Sequence, residues 1–412
     1  MKLFQPSSLY KQAPLFIPTL SECFARICAV CITLLALPVY SLNILLSIFK
    51  FSSPFCKGTT SDLKGREYHY LEFNHGLLRH SLMILLITKG DMTWVGLPRD
   101  VKHHCNQAEL ASMKVGLVSL YGLHHSTGIS NNQMLADTAK QEKYTQLERL
   151  LLVVRMMFVS VFFSTTNLKP ESSFKLFGIQ LDNTSLKDAV AKIVSPATNR
   201  CTKTVCFVNV NSFNLAHHND RLCTAINASD YVFADGSGVR MAAQKKGYRL
   251  LGNVNGTDML PVLCQQAVSK GQSIFLLGAE QGVAAQTALN LEHLHPGLRI
   301  SGTHHGYFTQ DDTADVIEKI NEAKTDILLV ALGSPHQESW LQEHKSELQV
   351  NTAVAVGGLL DFYSGRISRA PVWLREIGME WVWRLIQEPR NKFYRYVIGN
   401  PLFIFRIFFT DK

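Results

Sequence analysis

Asp326-Ile327-Leu328-Leu329-Val330-Ala331 runs directly into Leu332-Gly333-Ser334-Pro335-His336-Gln337-Glu338-Ser339-Trp340. An unbroken apolar run closed by a Gly/Pro turn reads as a strand buried on both faces that ends in a polar loop. Ligands of open α/β sheets bind beyond the carboxyl ends of the strands, so this junction indicates both the fold class and where the chemistry lies.

The same pattern recurs outward from it. Val205–Val210, Asp230–Ala234, Ser273–Gly278, Ile327–Leu332 and Ala353–Gly358 are predicted strands, with amphipathic segments Gly282–His293 and Thr313–Ala323 between them. The economical solution is α/β, a Rossmann-like parallel sheet flanked by helices over 175–375. A membrane-associated domain is expected over 1–165, a polar, Pro170-bearing linker over 166–174, and a helical appendage over 376–412.

A chain of 412 residues, 46% hydrophobic and 18% charged, is long enough for two domains and argues against disorder. Its net charge is +8, and residues 366–412 hold nine Lys/Arg against four Asp/Glu, five of those eight charges. Such a segment favours an anionic partner. Aromatic residues such as Trp381, Trp383, Phe393, Tyr396 and Phe405 are interleaved with the charges, which fits an anionic membrane or a lipid-linked phosphate better than nucleic acid. The nine cysteines read as free cytosolic thiols and form no zinc pattern.

Ile27–Phe49, between Arg26 and Lys50, is predominantly apolar over 23 residues. As a helix it spans about 35 Å, enough for a bilayer core. Pro38 near its centre leaves a kinked span or a re-entrant hairpin. Leu150–Phe163 is a shorter apolar run, an interfacial or core helix. Lys89-Gly90-Asp91-Met92-Thr93-Trp94-Val95-Gly96-Leu97-Pro98-Arg99 reads as turns around a short strand.

Together with Leu78-Arg79-His80-Ser81-Leu82, these features make residues 20–165 similar to bacterial polyprenyl-phosphate sugar-1-phosphate transferases. That family carries an adjacent Asp-Glu pair after the Leu-Arg segment, one carboxylate being its nucleophile. Here Leu82-Met83-Ile84-Leu85-Leu86-Ile87 stands in its place, with no acid between Glu72 and Asp91. Covalent catalysis needs a nucleophile, so a degenerate membrane-docking domain is expected.

In the α/β region, Asp235-Gly236-Ser237-Gly238 follows a predicted strand and puts the Asp235 carboxylate at the ligand rim. It suits a general base acting on a sugar hydroxyl, or equally the cap of the next helix. Leu277-Gly278-Ala279-Glu280-Gln281-Gly282-Val283 is a Gly-rich turn compatible with a nucleotide-sugar diphosphate, and it lacks the full dinucleotide fingerprint. Gln337 offers an amide to a ligand, and Glu338 can accept from sugar hydroxyls or cap a helix. His217-His218 and His304-His305 suit capping, pocket-wall or surface roles better than metal binding, and Asp311-Asp312 suits a helix start. No metal and no cofactor are expected.

Residues 202–396 resemble the WecG/TagA/CpsF glycosyltransferase family through an ordered series of motifs. These include Phe233-Ala234-Asp235-Gly236-Ser237-Gly238, Gly256-Thr257-Asp258, His295-Pro296-Gly297-Leu298, Gly306-Tyr307-Phe308 and Ala331-Leu332-Gly333-Ser334-Pro335-His336-Gln337-Glu338. Val356-Gly357-Gly358, Arg369-Ala370-Pro371, Glu380-Trp381-Val382-Trp383-Arg384-Leu385 and Glu388-Pro389-Arg390 complete it. The resemblance implies metal-independent, inverting transfer of an N-acetylmannosamine-type sugar, or its uronic acid, from a UDP donor to polyprenyl-diphosphate-linked N-acetylglucosamine.

By the matched positions, Asp235 would be the general base, with Gln337 beside the donor and Asn211 the pocket asparagine. Asn209 stands where the family commonly has Thr, and Asn253 where it usually has the Arg of Glu-Arg-Val. A neutral Asn253 removes a guanidinium from the leaving diphosphate, for which Arg240, Arg249 or a tail arginine are the candidate substitutes. Asp258, Gly278 and Glu338 are further candidate substrate contacts, while Arg384, Arg390 and Arg395 are those for the acceptor diphosphate in a tail that closes over the site. The expected partners are a UDP-sugar, a lipid-linked sugar acceptor, an anionic membrane surface and other polysaccharide-assembly enzymes, with no nucleic acid. The expected location is the cytoplasmic face of a bacterial inner membrane. A noncatalytic assembly scaffold and a bifunctional enzyme are the alternative functions.

Overall fold

The computed structural model describes residues 20–61, 67–74, 81–98, 113–127, 134–163, 168–196 and 201–409. Leu78-Arg79-His80, Arg99, and residues 164–167, of which 166–167 belong to the expected linker, lie outside the described residues. The chain divides into two compact units, Met1–Gly122 with Ala136–Val153, and Leu123–Leu135 with Val154–Lys412.

The larger unit is built on eight strands: β1 (Ser173–Leu176), β2 (Ile179–Asp182), β3 (Lys203–Val208), β4 (Tyr231–Ala234), β5 (Ser273–Gly278), β6 (Arg299–His304), β7 (Ile327–Ala331) and β8 (Thr352–Ala355). They form one sheet in the order β6-β5-β7-β8-β3-β4-β2-β1, parallel throughout except for the terminal β1–β2 hairpin.

The apolar runs follow from burial on both faces. Along β7, Ile327, Leu329 and Ala331 enter one core cluster while Leu328 and Val330 enter the opposite one. Ile274 and Leu276 of β5 join the first, and Phe275 and Leu277 the second. A strand with period-two alternation and helices on both sides needs apolar residues at every position.

The expected strand Val205–Val210 stops at Val208, because Asn209 caps the helix Val210–Ala216. Its side chain accepts from the backbone N–H groups of Asn211 and Ser212, and Ser212 returns a bond to the Asn209 N–H. This capping box outweighs the β-propensity of Val210. Within the stretch expected to be linker, Lys169 pairs with Gly247 and Arg249 through its backbone and Ser173 opens β1. The tail is helical in pieces, Val372–Glu376, Glu380–Gln387, Pro389–Phe393 and Gly399–Phe409. The first two are separated at Gly378, whose φ of +73° an L side chain rarely adopts.

In the smaller unit, Phe55–Ser61 pairs antiparallel with Glu67–Phe73, and Thr93–Val95 pairs with Gly116–Val118. Met83 and Ile84, in the segment where the acid pair was sought, are buried with Ala29, Leu86, Ile87 and Met92. They are core residues of this unit. Among the described residues no single helix is long and apolar enough to cross a membrane, but Glu22–Leu35 and Leu37–Phe49 together have the length and composition. They meet at a 50° bend, with Pro38 in the first turn of the second helix, where a missing N–H is tolerated. Cys28-Ala29-Val30-Cys31 is a C-x-x-C spacing within the first of these helices, and both thiols are free.

Candidate active site

A cleft of about 970 Å³ opens at the carboxyl ends of β3, β4, β5, β7 and β8, and the tail supplies part of its wall. Asn209, Asn211, Asp235, Asn253, Asp258, Gln337, Arg384 and Arg395 all line it, so most of the sequence-derived site residues converge.

Asp235 follows β4, and its backbone N–H donates to the Val208 carbonyl at 2.9 Å, which fixes where the carboxylate leaves the sheet. The side chain is half-buried. Burial pushes its carboxyl up to about 7, and the nearby charges of Glu380 and Asp258 act in the same direction. A hydrogen bond donated by the Asn209 amide and the positive charge of Arg395 oppose the rise. A carboxylate poised near neutrality can both take and release a proton under physiological conditions. Asn209 therefore has two jobs, with its oxygen capping a helix and its nitrogen holding Asp235.

Asn253 supplies no charge, but its Oδ1 accepts from the Gly236 N–H at 3.0 Å and braces the turn that carries Asp235. Gln337 is buried in the wall. Its Oε1 accepts from the Gly357 N–H at 2.9 Å and its Nε2 donates to Glu338 Oε1 at 2.9 Å. It thereby joins the loops after β7 and β8. Glu338 lies behind the wall, 1% exposed, also accepting from Ser334 Oγ at 2.6 Å, and it is not among the lining residues.

Gly278 likewise stays out of the lining: a Cβ there would stand 2.4 Å from the Ala331 carbonyl oxygen, so its place is the close approach of β5 to β7. In the Gly-rich turn the Ala279 N–H donates to Ala331 and is therefore not turned toward a phosphate. Arg390 is exposed and outside the lining, because it falls on the far side of the short helix Pro389–Phe393 from Lys392. Arg240 is buried and its guanidinium pulled down to about 10 by burial, but neither it nor Arg249 lines the cleft.

The cations come from 366–395. Arg384 Nε meets Glu388 at 2.6 Å, its Nη2 lies 3.7 Å from Asp361, and its Cζ lies over the Phe362 ring, 4.9 Å from the centroid. Its Nη1 and the Nε of Arg395 are buried without a hydrogen-bond partner among the described residues. Burial lowers Lys392, with Arg384 and Arg395 adding to the effect and Glu388 opposing it. Arg369 reaches Asp258 at 2.5 Å and Glu380 at 3.7 Å. Glu380 and Asp361 are both raised, chiefly by burial.

Sequence reasoning named neither Arg369, Glu380, Asp361 nor Lys392 as site residues. The first two stand inside motifs it had quoted, which was the available signal. Asp312 opens the helix Thr313–Glu322 and accepts from Thr309, whose hydrogen bonds hold its carboxyl low. His217 and His218 are exposed, and His304 Nδ1 bonds the His305 carbonyl.

Residues 174–412 match the family described as "Glycosyl transferase WecG/TagA/CpsF family". Over 238 residues the chain is 28% identical to the N-acetylglucosaminyldiphosphoundecaprenol N-acetyl-beta-D-mannosaminyltransferase of Staphylococcus aureus strain MW2, covering 56% of this chain and 91% of that relative. The protein of the same name from strain MRSA252 is 30% identical over 240 residues, with the same two shares.

Proposed function

The chain belongs to the WecG/TagA/CpsF glycosyltransferase family, and on that premise we propose that it transfers an N-acetylhexosamine-type sugar from a UDP donor to polyprenyl-diphosphate-linked N-acetylglucosamine. N-Acetylmannosamine or its uronic acid is the favoured sugar. The acceptor follows the relatives, whose name specifies N-acetylglucosaminyldiphosphoundecaprenol.

The observation that carries this reading is Asp235, a carboxyl near pH 7 at a strand end inside a cleft with unpartnered guanidinium N–H groups. Asp235 accepts the proton of the acceptor hydroxyl as that oxygen bonds to the anomeric carbon. The bond from that carbon to the UDP oxygen breaks, and UDP leaves with the electron pair. A single base on the face opposite the leaving group inverts the anomeric centre. Arg384 and Arg395 are suited to stabilise diphosphate charge, a role in which fixed, desolvated donors contribute most.

A membrane location is part of the proposal. In Gly399–Phe409, Phe403 and Ile407 are buried against the domain and Ile404 lines the cleft, while Leu402, Phe405, Phe408 and Phe409 are exposed. In the other unit, the bent helix pair exposes Leu34, Leu35, Leu45 and Phe49. Exposed apolar faces of this kind suit a lipid interface, and the smaller unit is read as a docking domain related to the phosphosugar transferases.

The test is UDP release by full-length protein in detergent. UDP-N-acetylmannosamine, its uronic acid, UDP-N-acetylglucosamine and UDP-glucose are compared with polyprenyl-diphosphate-N-acetylglucosamine as acceptor. Acceptor-dependent release that Asp235→Asn lowers by roughly 10²- to 10⁴-fold supports the reading. Proven binding of donor and acceptor without release from the wild type would sink it and favour a scaffold.

A further inference from the structure

Asp258 and Glu380 come from distant parts of the chain, the first turn of the helix Gly256–Lys270 and the first residue of Glu380–Gln387. Both line the cleft beside Asp235, and one guanidinium lies between them. Arg369 Nη2 approaches Asp258 Oδ1 at 2.5 Å, and its Nε stands 3.7 Å from Glu380 Oε1. The other Asp258 oxygen accepts from the Asn255 amide at 2.7 Å, and Asn255 also caps that helix. The carboxylate is thus fixed from both sides.

We propose that Arg369 is a positioning residue of the transfer reaction, holding Asp258 and Glu380 in the cleft wall and cancelling their charge so that Asp235 is available as a carboxylate. The proposal rests on the glycosyltransferase reading for the role of Asp235, while the electrostatic arrangement itself is independent of which sugar is moved.

The groups facing Asp235 are Asn209 from the end of β3, Asp258, Glu380, and Arg395 and Tyr396 from the tail. Those facing Arg369 are Asp258, Glu380 and Tyr363, with Arg375 also acting on Glu380. Among them, Asp258 and Glu380 disfavour ionisation of Asp235, and Arg369 is the largest counterweight on Glu380. Removing the guanidinium leaves Asp258 without its cation and Glu380 with Arg375 alone, so Asp235 faces more net negative charge and its carboxylate forms only at higher pH. The same two charges would also repel an incoming diphosphate, which a guanidinium in this place prevents.

The experiment titrates Asp235 directly in full-length protein carrying ¹³Cγ-labelled aspartate, with Asp235→Asn assigning the resonance. The wild type is compared with Arg369→Gln and Arg369→Lys. Arg369→Gln is expected to raise the Asp235 midpoint by about one pH unit, and Arg369→Lys, which keeps the charge, to return it to within a few tenths. In turnover, the acid limb of kcat/KM should move by the same amount. Loss of packing alone would lower activity at every pH without moving the limb, and lysine would not rescue it.

An unmoved midpoint in folded Arg369→Gln overturns the proposal. If that variant does not fold, Asp258→Asn decides, since removing a charge that opposes ionisation must lower the midpoint, and an unchanged value overturns the proposal equally. A wild type inactive with every donor defeats the transferase reading, and the titration still decides the role of Arg369.

Discussion

Asn209→Asp is the sharpest perturbation of the proposed base, because it conserves shape and the helix cap while reversing the sign of one interaction. The oxygen that accepts from the Asn211 and Ser212 N–H groups is kept, and Asp caps helices as well as Asn. The amide that donates to Asp235 becomes a second carboxylate. Losing a hydrogen bond to a charged group costs about 1.5–3 kcal/mol, or about 1–2 pKa units, before the added repulsion. Starting from about 7, Asp235 and the introduced carboxyl should lose the relevant proton near pH 8.5, as a coupled unit. At pH 7 the ionised fraction then falls from about one half to about 3%, a loss of roughly 15-fold in kcat/KM. The loss should largely disappear by pH 9.5. The assay is UDP release at low donor concentration from pH 5.5 to 9.5, with an unchanged far-UV helical signal confirming that the cap and the fold are kept. An active variant whose acid limb stays within about 0.3 units of the wild type refutes the claim that Asn209 sets the ionisation of Asp235.

Asp235→Asn should stabilise the fold at alkaline pH. A carboxyl raised from 3.8 to about 7 favours the folded state below the lower value and loses that contribution as pH rises through the upper one. The variant should therefore melt higher than wild type at pH 8, by about 1–3 kcal/mol, and equal it near pH 4; equal melting at both pH values would count against a strained carboxylate. Arg384→Ala and Arg395→Ala should each raise KM about tenfold or more for a diphosphate substrate, with weaker salt dependence, whereas Arg390→Ala should leave it within about twofold because that side chain stands outside the cleft. Glu338→Ala should lower stability by about 1–3 kcal/mol in thermal melts by leaving Gln337 and Ser334 without their buried acceptor. Replacing Phe405 and Phe409 with Ser should weaken sedimentation of the protein with anionic vesicles several-fold while leaving its melting unchanged, since both rings are exposed.

The central strands were legible because burial on two faces leaves an uninterrupted apolar run, as in Ile327–Ala331. The edge strand Arg299–His304 was not, since it reads Arg-Ile-Ser-Gly-Thr-His and only its first neighbour, β5, constrains it. Val210 was drawn into a strand for the same reason in reverse: local β-propensity was visible, but the cap at Asn209 that ends β3 depends on the following serine as well. Asp235 could be located from sequence because a strand end fixes where its carboxylate emerges. What surrounds it could not, because Arg369 meets Asp258 across 111 residues and Gln337 meets Gly357 across 20. Pairings of that kind are made by tertiary packing and have no local spacing.

Asn253 shows how the missing pieces change the argument. From sequence, a neutral side chain at that position weakens the case for diphosphate departure. In the structure it braces the Gly236 turn, and the cleft draws cations from 366–395 instead. The described lining contains six acids (Asp235, Asp258, Glu280, Asp361, Glu380, Glu388) and six bases (Arg366, Arg369, Arg375, Arg384, Lys392, Arg395). With Asp235 about half protonated at neutrality, the charges of the cleft wall are close to balanced, so attraction of a diphosphate must come from local asymmetry. The asymmetry lies in which N–H groups are already committed. Arg366 pairs with Glu280, and Arg369 and Arg384 are each held between two acids, yet Arg369 Nε, Arg384 Nη1 and Arg395 Nε are buried N–H groups without acceptors among the described residues. Buried donors without partners cost stability, which an anion bound against them offsets. In the proposed reaction, proton transfer to Asp235 removes one negative charge from the wall as negative charge develops on the departing UDP, which would make the same cleft a better host for the transition state than for the substrates.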